Sequence, residues 1–254
     1  MVNVLDLACF SFAKPSKPHN EDALLAPSYD NNSNVVFAIS DGVGSHVGAE
    51  QASYCAINAV RKTLENDEFL IEDAFIAAKY EIDNMSQQKD EYSNSAATLT
   101  IVQVSEHHIH IGHIGDCRAY NLRKNKLEQL TTDETRYQQL LESGDFSLRQ
   151  LNKHKIELSS VLTNALSSQI DLDFKFKTYD VRDFLDKDKC TLNLILMSDG
   201  AYDHWHKRPR FSQSTMQSPS AFSNSLRKRI EKNPLDDYSM LNVKLHIERK
   251  QSPL

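Results

Sequence analysis

Glycine is scarce in this sequence: 7 of 254 residues, where ordinary usage of about 7% would supply about 18. So few positions with positive-φ freedom make their locations informative. Long apolar runs are also missing; none approaches the ~18 residues needed to span a bilayer, which argues against a membrane protein. Residues 1–12 carry Asp6 and no basic lead, so they do not read as a secretory signal, and a cytoplasmic protein is expected. Cysteine pairs are lacking. Cys9, Cys55, Cys117 and Cys190 lie far apart without C-x-x-C spacing, and read as buried free thiols in a reducing compartment. Basic charge is in deficit, with 29 Lys and Arg against 35 Asp and Glu and a net charge of −6, which speaks against a nucleic-acid binder. There is no repeat, low-complexity tract or Pro/Gly-rich linker. Hydrophobic residues at 40% and charged residues at 25% predict a single domain over residues 1–254 with a full core.

Most of the glycines that are present sit close to aspartates. Gly42, Gly44 and Gly48 follow Asp41, Gly115 precedes Asp116, and Gly200 follows Asp199. Residues 3–12 and 35–40 have the composition of strands, with a polar loop over 28–34. Apolar residues keep helical spacing over 47–66 (Ala52, Cys55, Ala56, Ala59, Val60, Leu64) and over 69–85 (Leu70, Ala74, Phe75, Ala78, Ile82, Met85). Strand-like runs follow at 97–104, 108–114, 118–122 and 127–130, then a polar, helix-leaning segment over 133–170. Strands at 173–179 and 192–197, a helix at 220–230 and a strand at 240–247 complete the chain. Strands, two consecutive helices and strands again do not alternate as βαβ units. The order predicts an α+β fold, antiparallel sheets covered by helices.

Several segments share one form, an apolar strand that ends in an acidic residue at a turn. Ile39-Ser40-Asp41-Gly42 is one, Met197-Ser198-Asp199-Gly200 its near copy, and Ile114-Gly115-Asp116 a third. Asn20-Glu21-Asp22 precedes an apolar run, and Asp236-Asp237 opens the last strand. Carboxylates gathered from strand ends make an oxygen-rich site suited to Mg²⁺ or Mn²⁺. Two such ions about 3.5–4 Å apart can activate a shared water for in-line attack on phosphorus. Taken singly, an Asp-Gly pair more often only closes a turn; the number of such segments is what points to a site.

In their order along the chain these motifs resemble those of the metal-dependent serine/threonine protein phosphatases of type 2C (the PPM family) in compact bacterial form. Lys17-x-x-Asn20-Glu21-Asp22 resembles R-x-x-N-x-D, and Asp41-Gly42-Val43-Gly44-Ser45-His46 resembles D-G-x-G-G-H. Ala96-Ala97-Thr98 with Gly115-Asp116-Cys117-Arg118 is similar to G-T-T … G-D-S-R. Leu130-Thr131-Thr132-Asp133-Glu134, Leu162-Thr163-Asn164-Ala165-Leu166, Ser198-Asp199-Gly200 with Asp203, and Asp236-Asp237-Tyr238-Ser239 resemble the later motifs. The resemblance implies a sandwich of two antiparallel β-sheets flanked by α-helices (αββα), with metals at one edge. It implies two Mn²⁺ or Mg²⁺ ions and a weaker third. Asp41 would bridge the pair, the Gly42 carbonyl would bind one of them, Asp199 and Asp236 would hold the first and Glu21 the second. Asp116 would join Asp199 on the third, and Asp22 would support the ligands through hydrogen bonds. Lys17 would grip the phosphate without coordinating metal. The implied activity is hydrolysis of phosphoserine and phosphothreonine in proteins by a metal-bridged hydroxide, with no phospho-enzyme.

Several positions depart from the family pattern. Lys17 stands where the family has arginine, which keeps the charge but loses the planar fork. Val43 stands where eukaryotic relatives carry a histidine, Ser45 and Ala96 replace glycines, and Glu134 replaces a histidine. Residues 134–160 lie where the family carries its variable flap. His107, His108, His110 and His113 crowd one hairpin but split between its two faces, and read as a surface strand rather than a zinc site. Residues 204–210 (His-Trp-His-Lys-Arg-Pro-Arg) read as a loop with stacked arginine and tryptophan. The expected partners are a phosphorylated protein substrate and a cognate serine/threonine kinase, with no nucleic acid and no membrane, for a monomeric protein. Two rivals stay open. One is a catalytically weak phosphatase-like module that binds a phosphoprotein or kinase. The other is a two-metal nuclease or small-molecule phosphohydrolase, which would want a basic groove.

Overall fold

Alternation along the central strands builds the molecule in layers. The computed structural model describes residues 1–43, 47–186 and 190–248; Gly44, Ser45 and His46 of the motif after Asp41 lie outside the described residues. In chain order the first elements are β1 (Val2–Phe12), β2 (Asp22–Tyr29), β3 (Val35–Asp41), α1 (Ala49–Thr63), α2 (Ile71–Gln88) and β4 (Ala96–Ala97). Next come β5 (Leu99–Val104), β6 (His108–Ile114), β7 (Arg118–Arg123), β8 (Lys126–Gln129), α3 (Arg136–Ser143), α4 (Leu148–Lys153) and α5 (Lys155–Ser159). The chain continues through β9 (Leu166–Ser167), β10 (Lys175–Asp180), α6 (Val181–Phe184), β11 (Thr191–Met197), α7 (Asp199–Lys207), α8 (Gln213–Gln217), α9 (Pro219–Ile230) and β12 (Tyr238–Ile247).

One sheet has the order β1-β12-β11-β7-β8 and the other β10-β6-β5-β3-β2, with antiparallel pairing throughout both. Successive strand residues point to opposite faces, so β3 serves two cores at once. Val35, Phe37 and Ile39 belong to the core between the sheets, whereas Val36 and Ala38 pack with Ala52, Ala56 and Phe75 of α1 and α2. β11 does the same on the other side. Leu192, Leu194 and Leu196 complete the inter-sheet core, and Ile195 and Met197 pack with Trp205 of α7 and Phe222 of α9. Each fully buried side chain of this size contributes about 1.5–3 kcal/mol. The outcome is the αββα sandwich that the motifs imply.

Four expectations need correction. β2 runs on into the segment read as a loop: after a register shift beyond Leu25, Ser28 pairs with Val36 and Tyr29 with Val35, because a bulge lets a polar stretch rejoin the ladder. Residues 204–207 belong to α7, whose buried Ala201, Tyr202 and Trp205 give it an inner face at helical spacing. The cysteines are free, but Cys117 alone of the four is buried and Cys9 is exposed. His113 is also buried, since β6 lies between β5 and β10. Its Nδ1 is 2.9 Å from Thr100 Oγ1, and burial lowers its pKa to about 4. Among the described residues, no helix is long and apolar enough to cross a membrane.

Candidate metal centre

Asp41 ends β3 opposite Asp22, the first residue of β2. The strand end is locked by its neighbours: the Gly42 N–H donates to the Glu21 carbonyl at 2.9 Å and the Val43 N–H to the Ala96 carbonyl at 2.8 Å. The Asp41 N–H donates to Thr98 Oγ1 at 2.9 Å. A Cβ on Gly42 would lie 2.3 Å from the Ala49 carbonyl oxygen, so only glycine lets this turn pass beneath the start of α1. From the facing sheet, β11 delivers Asp199 to the first turn of α7. A Cβ on Gly200 would lie 2.0 Å from the Asp237 carbonyl oxygen, and its absence brings the Asp236-Asp237 turn against that helix. Asp116 sits in the turn between β6 and β7. Glu21, Asp41, Asp116, Asp199 and Asp236 therefore line one cavity of about 390 Å³, joined by Lys17, Gly42 and, from the segment after α5, Ser160 and Leu162. A larger cavity of about 560 Å³ lies among Arg123, Phe184, Met216 and Lys244 and contains none of the expected ligands.

The cavity carries more negative charge than its neighbours neutralise. Burial, then the charges of Asp22, Asp199, Asp116 and Asp236, push Asp41 well above the ordinary carboxylate range. Asp199 is raised by burial and then by Asp116, Asp236 and Asp22. Burial raises Asp116 to about 7, with Asp133 adding to the effect and Arg118 opposing it. Burial raises Asp22 to about 6, although the Ser198 hydroxyl donates to its Oδ2 at 2.7 Å. That hydroxyl oxygen in turn accepts from the Ser239 N–H at 3.0 Å, so Asp22 ties β2 to the ends of β11 and β12.

Two groups behave in ways the motifs did not reveal. Lys17 Nζ lies 2.6 Å from Glu21 Oε2, 2.9 Å from Asp236 Oδ1 and 3.3 Å from Asp237 Oδ2. Burial alone would lower its pKa. The hydrogen bonds to Glu21 and Asp236, with the charges of Asp236 and Asp237, more than offset this and raise it above the ordinary lysine value. Lys17 is expected to grip phosphate without coordinating metal, and it is hydrogen-bonded to Glu21 and Asp236, two of the expected ligands. Asp237 was noticed only as half of an acidic pair. Its Oδ1 accepts from the Lys14 N–H at 2.7 Å and its Oδ2 from the Glu21 N–H at 2.8 Å, which fixes the loop that carries Lys17.

Arg118, Asp133 and Glu134 of the remaining motifs brace the site. Arg118 makes a two-oxygen ion pair with Asp133, and its guanidinium stacks 3.6 Å from the ring centroid of Tyr202 in α7. Glu134 Oε2 accepts from the Gly115 N–H at 2.9 Å, so the glutamate found in place of the family histidine holds the turn that presents Asp116. Asp203 is exposed on α7.

Among the described residues, no three His, Cys, Asp or Glu side chains are already closed around a point where an ion could sit. This holds for the histidine hairpin as well. The cavity nonetheless fits a hard divalent cation in its chemistry: its lining offers carboxylates and the Gly42 backbone rather than thiolate or imidazole, and its like charges are held together against their own repulsion. Lys17 is what engages Glu21 and Asp236.

An αββα sandwich with a carboxylate-lined cavity at one edge is the architecture implied for PPM-type domains. The protein phosphatase 2C family matches the chain over residues 15–238, and the chain belongs to that family. It is 28% identical over 144 residues to the serine/threonine protein phosphatase PstP of Mycobacterium tuberculosis, a match covering 54% of this chain and 27% of that protein. The chain thus spans about a quarter of that relative's length. It is 26% identical over 192 residues to the serine/threonine phosphatase stp of Listeria welshimeri, covering 72% of each. The crystal structure of the catalytic domain of PstP in complex with two manganese ions matches with a TM-score of 0.74 at 20% identity, over 97% of this chain and 100% of that one.

Proposed function

We propose that this chain is a protein-serine/threonine phosphatase dependent on Mn²⁺ or Mg²⁺. The observation that carries this reading is the convergence of Glu21, Asp41, Asp116, Asp199 and Asp236 in one cavity of a protein phosphatase 2C domain. Asp41 would be shared by two ions, the Gly42 carbonyl would help hold one of them, Asp199 and Asp236 would hold the first and Glu21 the second, and Asp116 would join Asp199 in holding a third. Bound there, divalent cations supply the Lewis acidity that makes water a nucleophile near neutral pH and offsets phosphate charge.

The chain's own residues supply positioning. Asp22, held by Ser198, keeps the two strand ends in register. Lys17 is assigned to the phosphate, as a point charge rather than a fork. Attack on phosphorus is direct and no side chain is phosphorylated. Val43 has no proton to give, so the leaving alkoxide is protonated by water. Ser160, beside Leu162, brings the end of segment 134–160 to the cavity, where the segment acts as a flap that selects among phosphoproteins. The partners assigned are a phosphorylated protein and a cognate kinase, for a monomer in the cytoplasm, where free thiols persist.

The test is phosphate release from phosphoserine and phosphothreonine peptides with added manganese. Release is expected from both. A protein that binds Mn²⁺ by calorimetry but releases no phosphate is the binding module instead, and cleavage of DNA or RNA in place of the peptides would make it a nuclease.

A further inference from the structure

The Lys17 ammonium has three N–H donors, and three carboxylates, from Glu21, Asp236 and Asp237, lie within hydrogen-bonding distance of it. Two of these carboxylates are assigned above as metal ligands, one to each ion. The third, Asp237, has a 3% exposed side chain and accepts backbone N–H groups on either side of Lys17, from Lys14 and Glu21. The loop is thus pinned so that its lysine reaches the carboxylates. The same lysine also lines the cavity. A cation is already present at this corner of the site, and it belongs to the chain.

We infer that Lys17 is a tethered counter-ion, whose ammonium neutralises Glu21 and Asp236 in the metal-free protein and must be displaced before these carboxylates can take a divalent ion. The inference rests on the metal reading proposed above and adds a regulatory element to it. Metal loading and release of the lysine into the cavity become one event, so the phosphate-binding cation is freed only when metal arrives. The cost falls on metal affinity, since each ion of the pair first breaks a charge-assisted hydrogen bond of Lys17. Such bonds correspond to roughly 10- to 100-fold in an equilibrium constant.

Calorimetric titration of Mn²⁺ into the wild type, Lys17→Met and Lys17→Gln tests this without reference to turnover. Both variants keep the side-chain bulk and remove the charge, and the Lys17 side chain is 30% exposed, so the fold should survive. Both are expected to bind Mn²⁺ about 10- to 100-fold more tightly than wild type, with the same stoichiometry. A second measurement follows the lysine ammonium resonances of the wild type by NMR during titration with diamagnetic Mg²⁺, with Lys17→Met assigning the Lys17 signal. One protected ammonium signal, missing from Lys17→Met, is expected to move or vanish as the site fills. Equal or weaker Mn²⁺ binding in both variants, or an ammonium signal unmoved at saturating Mg²⁺, overturns the counter-ion while leaving the metal reading standing. No binding in any of the three proteins overturns both.

Discussion

Asp41→Asn is expected to abolish manganese-dependent phosphate release and, at the same time, to raise the melting temperature of the metal-free protein. The two effects have one cause. Asp41 is proposed, from the family resemblance, to serve both ions, and it lies where the charges of Asp22, Asp199, Asp116 and Asp236 all act on it, so its carboxylate is poorly placed when no ion is there. The amide has nearly the same shape and no charge. Turnover should fall on the order of 10³-fold, the several kcal/mol that metal-held charge stabilisation supplies. The metal-free variant should melt a few degrees higher, because one buried like charge has been removed. Wild-type turnover at saturating Mn²⁺ would show that the site has been misplaced. A lower melting temperature would show that the carboxylate is bonded, rather than repelled, in the metal-free fold.

Chelation should have a comparably large effect, and its size should depend on pH. EDTA is expected to silence the protein, and excess Mn²⁺ to restore it. At neutral pH the stripped protein should also melt at lower temperature, since a ligand that binds only the folded state stabilises it. That loss should shrink as the pH falls. The folded pKa values of Asp22 and Asp116 are about 6 and about 7, and those of Asp41 and Asp199 lie well above the ordinary carboxylate range. The unfolded chain releases these protons nearer pH 4. Between those limits the folded state binds more protons than the unfolded one, so its stability falls as pH rises. The site's contribution is therefore fully present below about pH 4 and is lost as pH climbs through the folded values. Thermal melts with EDTA at pH 5 and pH 7.5 measure this; a metal-free protein equally stable at both would mean that the carboxylates are not crowded in solution. Full activity after exhaustive chelation would remove metal from the mechanism.

Much of the scaffold was legible because its signals are local. Apolar runs ending in Asp41-Gly42 and Asp199-Gly200 marked the two strand ends that meet at the cavity, and helical spacing marked α1 and α2 to within a few residues. α7 was hidden because His204, His206 and Lys207 dominate its composition, while its inner face rests on Tyr202 and Trp205, two residues that declare themselves only against α9. The second half of β2 was hidden by a bulge that no periodicity survives. At the site, the residues that line the cavity were named from motif order, but what they do to one another was not. That Lys17 reaches Asp236, and that Asp237 turns inward to hold the loop, depends on bringing together positions more than two hundred residues apart, whereas Glu21 lies only four positions from Lys17. Ser160 reaches the cavity from a segment whose sequence carries no motif for that placement, beside Leu162, which opens the motif Leu162-Thr163-Asn164-Ala165-Leu166.

Anomalous diffraction from crystals of the wild-type protein grown with Mn²⁺ tests the central claim most directly. The account predicts two manganese peaks about 3.5–4 Å apart with Asp41 touching both, Glu21 on one side, Asp199 and Asp236 on the other, and Lys17 no longer bonded to Glu21 and Asp236. Manganese bound elsewhere, or a cavity without manganese in which Lys17 still holds the two carboxylates, would contradict it.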